Sequence, residues 1–229
     1  MVTELGRRIV GGEFEPGEIL DLARLEQEMR FGRTALRETM KVLASKGLID
    51  ARQGTGTFVT DRAHWNLLDP DLLRWHYETQ PQHHFLDSLS EFRFSVEPAA
   101  AGLAAERRSD EQLQILARAL GDMGANFDDR ALFTGSDLEF HATVLEASGN
   151  EFFVQLEPII EAALFTRVQS VQADDERREE TLASHRRVFD AIADRNSDGA
   201  TAAMRHLLKV ARQQERLASP ETAVAVAAD

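Results

Sequence analysis

The sequence contains no cysteine. That excludes disulfides, a thiol nucleophile, and Zn or Fe–S sites built on thiolates, so any bound metal must be held by histidine and carboxylate. No uninterrupted apolar run approaches the ~20 residues that a membrane-spanning helix requires. The opening Met1-Val2-Thr3-Glu4-Leu5-Gly6-Arg7-Arg8 lacks the apolar core of a signal peptide. A cytoplasmic protein with no membrane partner is therefore expected. There is no internal repeat, and nothing after Gln82 reads as strand. What is present is 229 residues with 43% hydrophobic and 28% charged content, a folded globular composition with room for two domains.

The net charge of −13 argues against nucleic acid when taken alone. Its distribution says more. Residues 1–62 hold 10 basic and 10 acidic side chains, whereas the rest of the chain holds 16 basic and 29 acidic ones and so carries all of the excess. Two electrostatically different halves imply two domains with different partners.

In the neutral half, residues 3–11 read as a helix with Leu5, Ile9 and Val10 inward, ended by Gly11-Gly12 and Pro16-Gly17. A short helix over 21–29 follows (Leu22, Leu25 and Met29 inward), then the turn Phe31-Gly32. The spacing of Leu36, Met40 and Leu43 predicts a third helix over 33–46, with Gly47 as its stop. Two β-type runs, 48–52 and 57–59, flank Gln53-Gly54-Thr55-Gly56 and read as a hairpin. Three helices and a hairpin in this order form a winged helix-turn-helix layout. The third helix carries Arg33, Arg37, Lys41 and Lys46 on its polar side against Glu38 alone. Arg33, Thr34 and Arg37 lie in its first turns, the part that enters a major groove in such motifs. There Arg can bond two guanine acceptors, and Thr can meet a phosphate or a thymine methyl. A solvated basic face on an ordinary amphipathic helix is the bland alternative. The preceding turn and the following glycine hairpin favour DNA.

These residues also carry a resemblance. Leu5-Gly6-Arg7-Arg8-Ile9-Val10, Pro16-Gly17, Arg33-Thr34-Ala35-Leu36-Arg37-Glu38, Gly47-Leu48-Ile49 and Gly54-Thr55-Gly56-Thr57-Phe58-Val59 are similar to the DNA-binding domain of GntR-family bacterial regulators. The resemblance implies that Arg33 and Arg37 read bases and that the wing tip, Gln53-Gly54, lies in the minor groove. In that family a basic residue early in the second helix often contacts DNA. Here Ala23 takes that place and Arg24 is adjacent.

Residues 61–71 form a linker too apolar, with Trp65 and Leu67-Leu68, to be a free tether. Asp69-Pro70-Asp71 then caps a helix carrying Leu72, Leu73 and Trp75. Six helices are predicted after it, near 83–107, 110–126, 130–148, 151–171, 176–195 and 198–217. Pro98 and Pro158 should kink or locally open the two they fall in. The fold class is thus mainly α, a winged helix-turn-helix domain (1–61) and linker (62–80) followed by an all-α bundle (81–218), with a disordered tail from 219 to 229.

Within the bundle, Asp137 and His141 are four residues apart and share a helix face with Phe140 and Val144. His185 shares a face with Leu182, Val188 and Ile192, and His206 one with Ala203 and Val210. Each histidine could be a core residue with an ordinary hydrogen bond. Together the four could close around one divalent cation, with Zn, Ni, Fe, Mn and Co all compatible with imidazole and carboxylate. Arg93, between Phe92 and Phe94, could clamp an effector carboxylate or pair with Glu97 one turn on. Thr181, one turn before His185, could face the same effector. Asn150 reads as a helix N-cap.

Residues 71–217 resemble the FCD effector-binding domain of the FadR subfamily, through Glu91-Phe92-Arg93, Glu97-Pro98-Ala99-Ala100, Asp137-x-x-Phe140-His141, Ala147-Ser148-Gly149-Asn150, His185 with Ala191-Ile192, and Met204-Arg205-His206-Leu207. The segment from His64 to Trp75 is similar to the linker of galactonate and hexuronate repressors. The resemblance implies a homodimer on a palindromic operator of double-stranded DNA, a metal on Asp137, His141, His185 and His206, and a small carboxylate effector such as a sugar acid that releases a repressor. Two other readings remain at this point. One is a metal-dependent hydrolase or isomerase tethered to DNA, though no His-Glu-x-x-His motif supplies a general base. The other is a non-specific DNA-coating protein, which the acidic balance disfavours.

Overall fold

The structure, a computed structural model, describes residues 1–30, 32–79, 83–170 and 175–218, with the side chains of 83–84, 166–170, 175–178 and 215–218 excepted. Phe31 of the predicted turn, Asp174 of the predicted punctuation and the predicted tail from 219 lie outside the described residues. The chain divides into two compact units, residues 1–81 and 82–229.

The first unit begins with α1 (Val2–Val10), α2 (Leu22–Met29) and α3 (Arg33–Ser45). The Asp21 side chain caps α2 by accepting from the N–H groups of Ala23 and Arg24. At the end of α3, Gly47 takes φ +79°, and the Leu48 N–H reaches back to the Leu43 carbonyl at 3.1 Å. This left-handed turn satisfies a carbonyl that the helix leaves open. The wing follows as β1 (Ile49–Arg52) and β2 (Gly56–Val59), antiparallel with Ile49 opposite Val59 and Arg52 opposite Gly56. Gly54 and Gly56 both have positive φ, which the tight hairpin requires. Ile19 bridges to Phe58 on the other edge of β2.

α4 (Pro70–Glu78) starts on Asp69, whose carboxylate accepts from the N–H groups of Asp71 and Leu72. It buries Leu72 and Trp75 in the same core as Leu5, Ile9, Leu36, Leu43 and Val59. The Trp75 indole lies where a side chain on Gly6 would stand, so that glycine lets α1 and α4 approach closely. Of the apolar linker residues, Trp65 packs against this core, whereas Leu67 and Leu68 are exposed at 38% and 58%, so the expected packing holds only in part.

The second unit is helical throughout its described residues: α5 (His83–Arg107), α6 (Asp110–Ala125), α7 (Arg130–Ala147), the single-turn α8 (Glu151–Val154), α9 (Glu157–Ser170), α10 (Asp175–Ala193) and α11 (Ser197–Ala218). α5 continues through Pro98. Its Ala100, Ala101, Ala104 and Ala105 are fully buried, and a side chain at Gly102 would meet Thr201 of α11. Small residues thus bring α5 and α11 together. Ser109 and Gln112 form a reciprocal capping box on α6, and Asn150 caps α8 by accepting from the Phe152 N–H.

One predicted element needs correction. The single helix expected over 151–171 is two, broken between Val154 and Glu157. Pro158 cannot continue a helix from the preceding turn but suits the first turn of a new one, so it starts α9 rather than kinking a longer helix. The core gathers Phe140, Val144 and Leu145 of α7, Ile160 and Leu164 of α9, Val188 and Ile192 of α10, and Met204, Leu207 and Leu208 of α11.

Candidate DNA interface and candidate metal centre

In the first unit, α3 turns Leu36, Thr39, Met40 and Leu43 inward. The same periodicity leaves Arg33, Thr34, Arg37 and Lys41 exposed. Gly32 at its N-cap supplies no side-chain acceptor, so the first-turn N–H groups stay available to an anion such as a phosphate. The Arg33 side chain is 91% exposed and sits 3.4 Å from Glu26. Lys41 pairs with Glu38 at 2.8 Å. Arg24 is exposed but engaged with Glu28 at 2.5 Å. Gln53 and Gly54 occupy the exposed tip of the wing, with open space around Gly54. Behind the tip the Arg52 guanidinium lies 4.7 Å over the Phe58 ring. Lys46 differs from the other bases of α3. Its side chain is only 11% exposed and contacts Asp69 and Asp71. The expectation that it belongs to the solvated basic face does not hold.

In the second unit, α7 carries Asp137 and His141 inward and α10 carries His185 inward, each at most 3% exposed. One carboxylate oxygen organises them. Asp137 Oδ1 lies 2.9 Å from His185 Nε2 and 3.3 Å from His141 Nε2. The two rings stand at 80° to each other, and Phe140 packs edge-on against both. The donor atoms of these three residues all lie within 4.8 Å of one another.

Each ring is held from behind. His185 Nδ1 lies 2.9 Å from the Thr181 carbonyl, which can only accept, and Nε2 faces the Asp137 carboxylate, so both ring nitrogens are directed at an acceptor. His141 Nδ1 lies 2.5 Å from Glu97 Oε2, a close ionic contact whose direction does not meet hydrogen-bond geometry. Glu97 in turn accepts from Arg93 Nε at 2.5 Å.

The electrostatics follow from this burial. Burial alone would raise the Glu97 carboxyl. The Arg93 guanidinium and His141 outweigh it and hold the group at about 2. Asp137 is likewise penalised by burial yet held well below the ordinary carboxylate range by His185 and His141. Burial lowers His141, but Glu97 and Asp137 more than offset this and raise it. Two ionised carboxylates thus face two imidazoles within the buried interior of the helical unit.

The donor set fits a divalent ion of the Zn type. Two imidazole nitrogens and a carboxylate oxygen converge, and each ring nitrogen that faces away meets a carbonyl or a carboxylate, the outer shell that orients metal-binding histidines. Sequence reasoning placed Asp137, His141 and His185 correctly on inward faces. His206 it misplaced: that residue is exposed on α11 and lies outside the group. Arg93 makes the pairing with Glu97 that was its bland alternative, though fully buried rather than at a surface. Thr181 contributes its backbone carbonyl to His185, while its hydroxyl lies 3.5 Å from Gln214. Glu97 and Gln214 were not singled out as site residues. Glu97 could have been, since it shares the inward face of α5 with Arg93 one turn earlier.

A winged helix-turn-helix unit with an exposed basic helix, joined in one chain to an all-α unit with a buried histidine–carboxylate centre, defines a two-domain DNA-binding regulator. The chain belongs to the GntR family of bacterial regulatory proteins: the gntR family model matches residues 2–59 and the FCD domain model residues 88–210. It is 36% identical over 221 residues to the galactonate operon transcriptional repressor of Escherichia coli (strain K12), covering 95% of both chains. It is 31% identical to the transcriptional repressor NanR of Salmonella newport, covering 90% of this chain and 81% of that one. Among solved structures it resembles a Streptococcus agalactiae GntR protein at 25% identity and TM-score 0.53, covering 93% and 99% of the two chains. The fold is also shared with Lar, which controls expression of the Listeria monocytogenes agr system, at TM-score 0.66 over 95% of this chain and 96% of that one and 19% identity. The family is one of transcriptional regulators rather than enzymes.

Proposed function

We propose that the protein is a repressor that binds a palindromic operator as a homodimer and is released by a small carboxylate metabolite of the sugar-acid class. Arg33, Thr34 and Arg37 would contact base edges and phosphates in the major groove, Gln53 and Gly54 would approach the minor groove, and Arg24 would meet the backbone after leaving Glu28. In the helical unit Asp137, His141 and His185 would hold a divalent ion. That ion would supply a Lewis-acidic point for a carboxylate or hydroxyl of the effector. Arg93 and Glu97 would fix the His141 side of the centre, and Thr181 the His185 side.

The observation that carries this reading is the convergence of three buried donors from α7 and α10 on one point, each ring oriented from behind. The sugar-acid class is supported by the galactonate operon repressor among the relatives. An effector acts by binding more tightly to the arrangement with low DNA affinity, so metal, acid and operator should be thermodynamically linked.

The test uses an operator selected from random duplex DNA by the protein itself. Loading with Zn or Ni should give about one ion per chain with release of protons. Galactonate and related aldonates or uronates should then displace the operator only from the metal-loaded protein. Asp137→Ala combined with His185→Ala should lose the ion and the response to acid while operator binding survives. A response that persists without metal would reduce the centre to a polar core. Turnover of the acids by the loaded protein would favour the tethered-enzyme reading.

A further inference from the structure

At the C-terminal end of α3 the chain is tied to the segment that follows the wing. Lys46 Nζ lies 2.8 and 2.9 Å from the two carboxylate oxygens of Asp69 and 2.8 Å from Asp71 Oδ2. Its ammonium is also 5.7 Å from the centre of the Trp75 ring. Two backbone ties reinforce the contact. The Asn66 N–H donates to the Lys46 carbonyl at 3.0 Å, and the Thr60 hydroxyl donates to the Gly47 carbonyl at 2.5 Å. The His64 carbonyl occupies the place a Gly47 side chain would take, so residues 60–66 lie directly against the helix end. On its other side α4 is fastened to α1 by Trp75 over Gly6 and by Arg7 with Glu78 at 2.6 Å.

A largely buried lysine between two carboxylates gains little net stability, because desolvation offsets most of the attraction. What such a contact does supply is a fixed geometry. We propose that Lys46 is a positioning residue for DNA reading: it clamps the 60–71 segment and α4 to the end of the recognition helix, so that α3 and α4 move as one reading head. Lys46 itself does not contact DNA. Its charge is directed to the segment after the wing, and the angle at which Arg33 and Arg37 are presented depends on that clamp. The inference rests on the DNA-binding role of the first unit and is independent of the metal and the effector.

The experiment compares full-length protein with Lys46→Met, with Asp69→Asn/Asp71→Asn and with the triple variant. Asn keeps the N-cap of α4, so the charges lost are the ionic clamp and the Asp71–Arg74 pair. Operator and scrambled-DNA affinities are measured over a range of salt concentrations, with melting temperatures alongside. A clamp predicts that Lys46→Met and the Asp pair each weaken operator binding by about tenfold, as loss of a specific contact would. The triple variant is then no weaker than either, and the salt slope does not change. Direct phosphate contact by Lys46 predicts the reverse: the slope falls by about 0.9 for the lysine variant, and removing two nearby acids leaves binding equal or tighter. That result overturns the proposal. So does unchanged operator affinity in the Asp pair, even with a lower melting temperature, because the clamp would then serve stability alone. Where Lys46→Met melts too early for binding measurements, Asp71→Asn gives the same reading at smaller amplitude. Its carboxylate also serves Arg74 at 2.6 Å, so Arg74→Ala is the matching control.

Discussion

The two units place their charges in opposite ways. In the winged unit Arg33, with 91% of its side chain exposed, meets Glu26 only at 3.4 Å. In the helical unit Arg93 and Glu97 pair at 2.5 Å with side chains 5% and 1% exposed. Exposed pairs contribute about 0–1 kcal/mol and are screened by salt, so they can be exchanged for phosphate at little cost. A buried pair cannot be exchanged in that way. It holds its neighbours in place, and losing one member leaves a charge stranded. Charge at the start of α3 is thus held for an incoming partner, whereas charge in the second unit builds a rigid centre, as the largely buried Lys46–Asp69 contact does on a smaller scale in the first.

This contrast can be broken at three points. The largest effect is expected from Arg33→Ala with Arg37→Ala. Each should cost about 1–3 kcal/mol of operator affinity, leaving binding no better than to scrambled DNA. Thermal stability should change by less than about 0.5 kcal/mol, as for surface substitutions elsewhere. Equal operator affinity in a mobility-shift titration would remove α3 from the interface. Next in size is Arg93→Met, which leaves Glu97 without its guanidinium and should destabilise the helical unit by about 3–5 kcal/mol in chemical denaturation. A variant as stable as the parent would show that the pair is as exchangeable as those on the surface.

The smallest effect concerns His76 of α4, which crosses the comparison because it is a buried titratable group, as Lys46 largely is, in the unit that carries the exposed arginines. Burial, and then the nearby Arg62 charge, lower it to about 4. Folded protein therefore keeps this ring neutral while the unfolded chain takes up a proton near its ordinary value of about 6.5. Stability from this group is complete above about 6.5 and is lost as pH falls toward 4, by on the order of 1–3 kcal/mol in all. His76→Gln should flatten that part of the stability–pH profile, and an unchanged slope between pH 6.5 and 4 would refute the assignment.

Much of this was legible because it is local. The inward stripe of α3, the stop at Gly47, the cap at Asp69-Pro70 and the one-turn spacing of Asp137 and His141 depend on residues within a few positions of each other. What was missed depends on contacts between distant segments. Nothing in the 33–46 stretch says that Lys46 is met by Asp69, 23 residues on. Glu97 reaches His141 only because α5 and α7 lie side by side. His206 was misread for a different reason. Val210 is buried, but Ala203 is only partly buried, and both lie at the edge of the α11 stripe, with Met204, Leu207, Leu208 and Ala211 at its centre. A residue beside an edge position can fall on either side of the waterline, and His206 falls outside.

The docking of Trp75 on Gly6 has a practical consequence. The chain has two tryptophans, Trp65 and Trp75, and both belong to the winged unit and its docked linker. The helical unit has none, so the tryptophan emission of the native protein comes from the winged unit alone. Trp75 lies over the Lys46 ammonium, a neighbour whose displacement changes the field felt by the indole. A shift in emission on adding a metabolite that binds among the helices would be a signal sent in one unit and received in the other, read without a label.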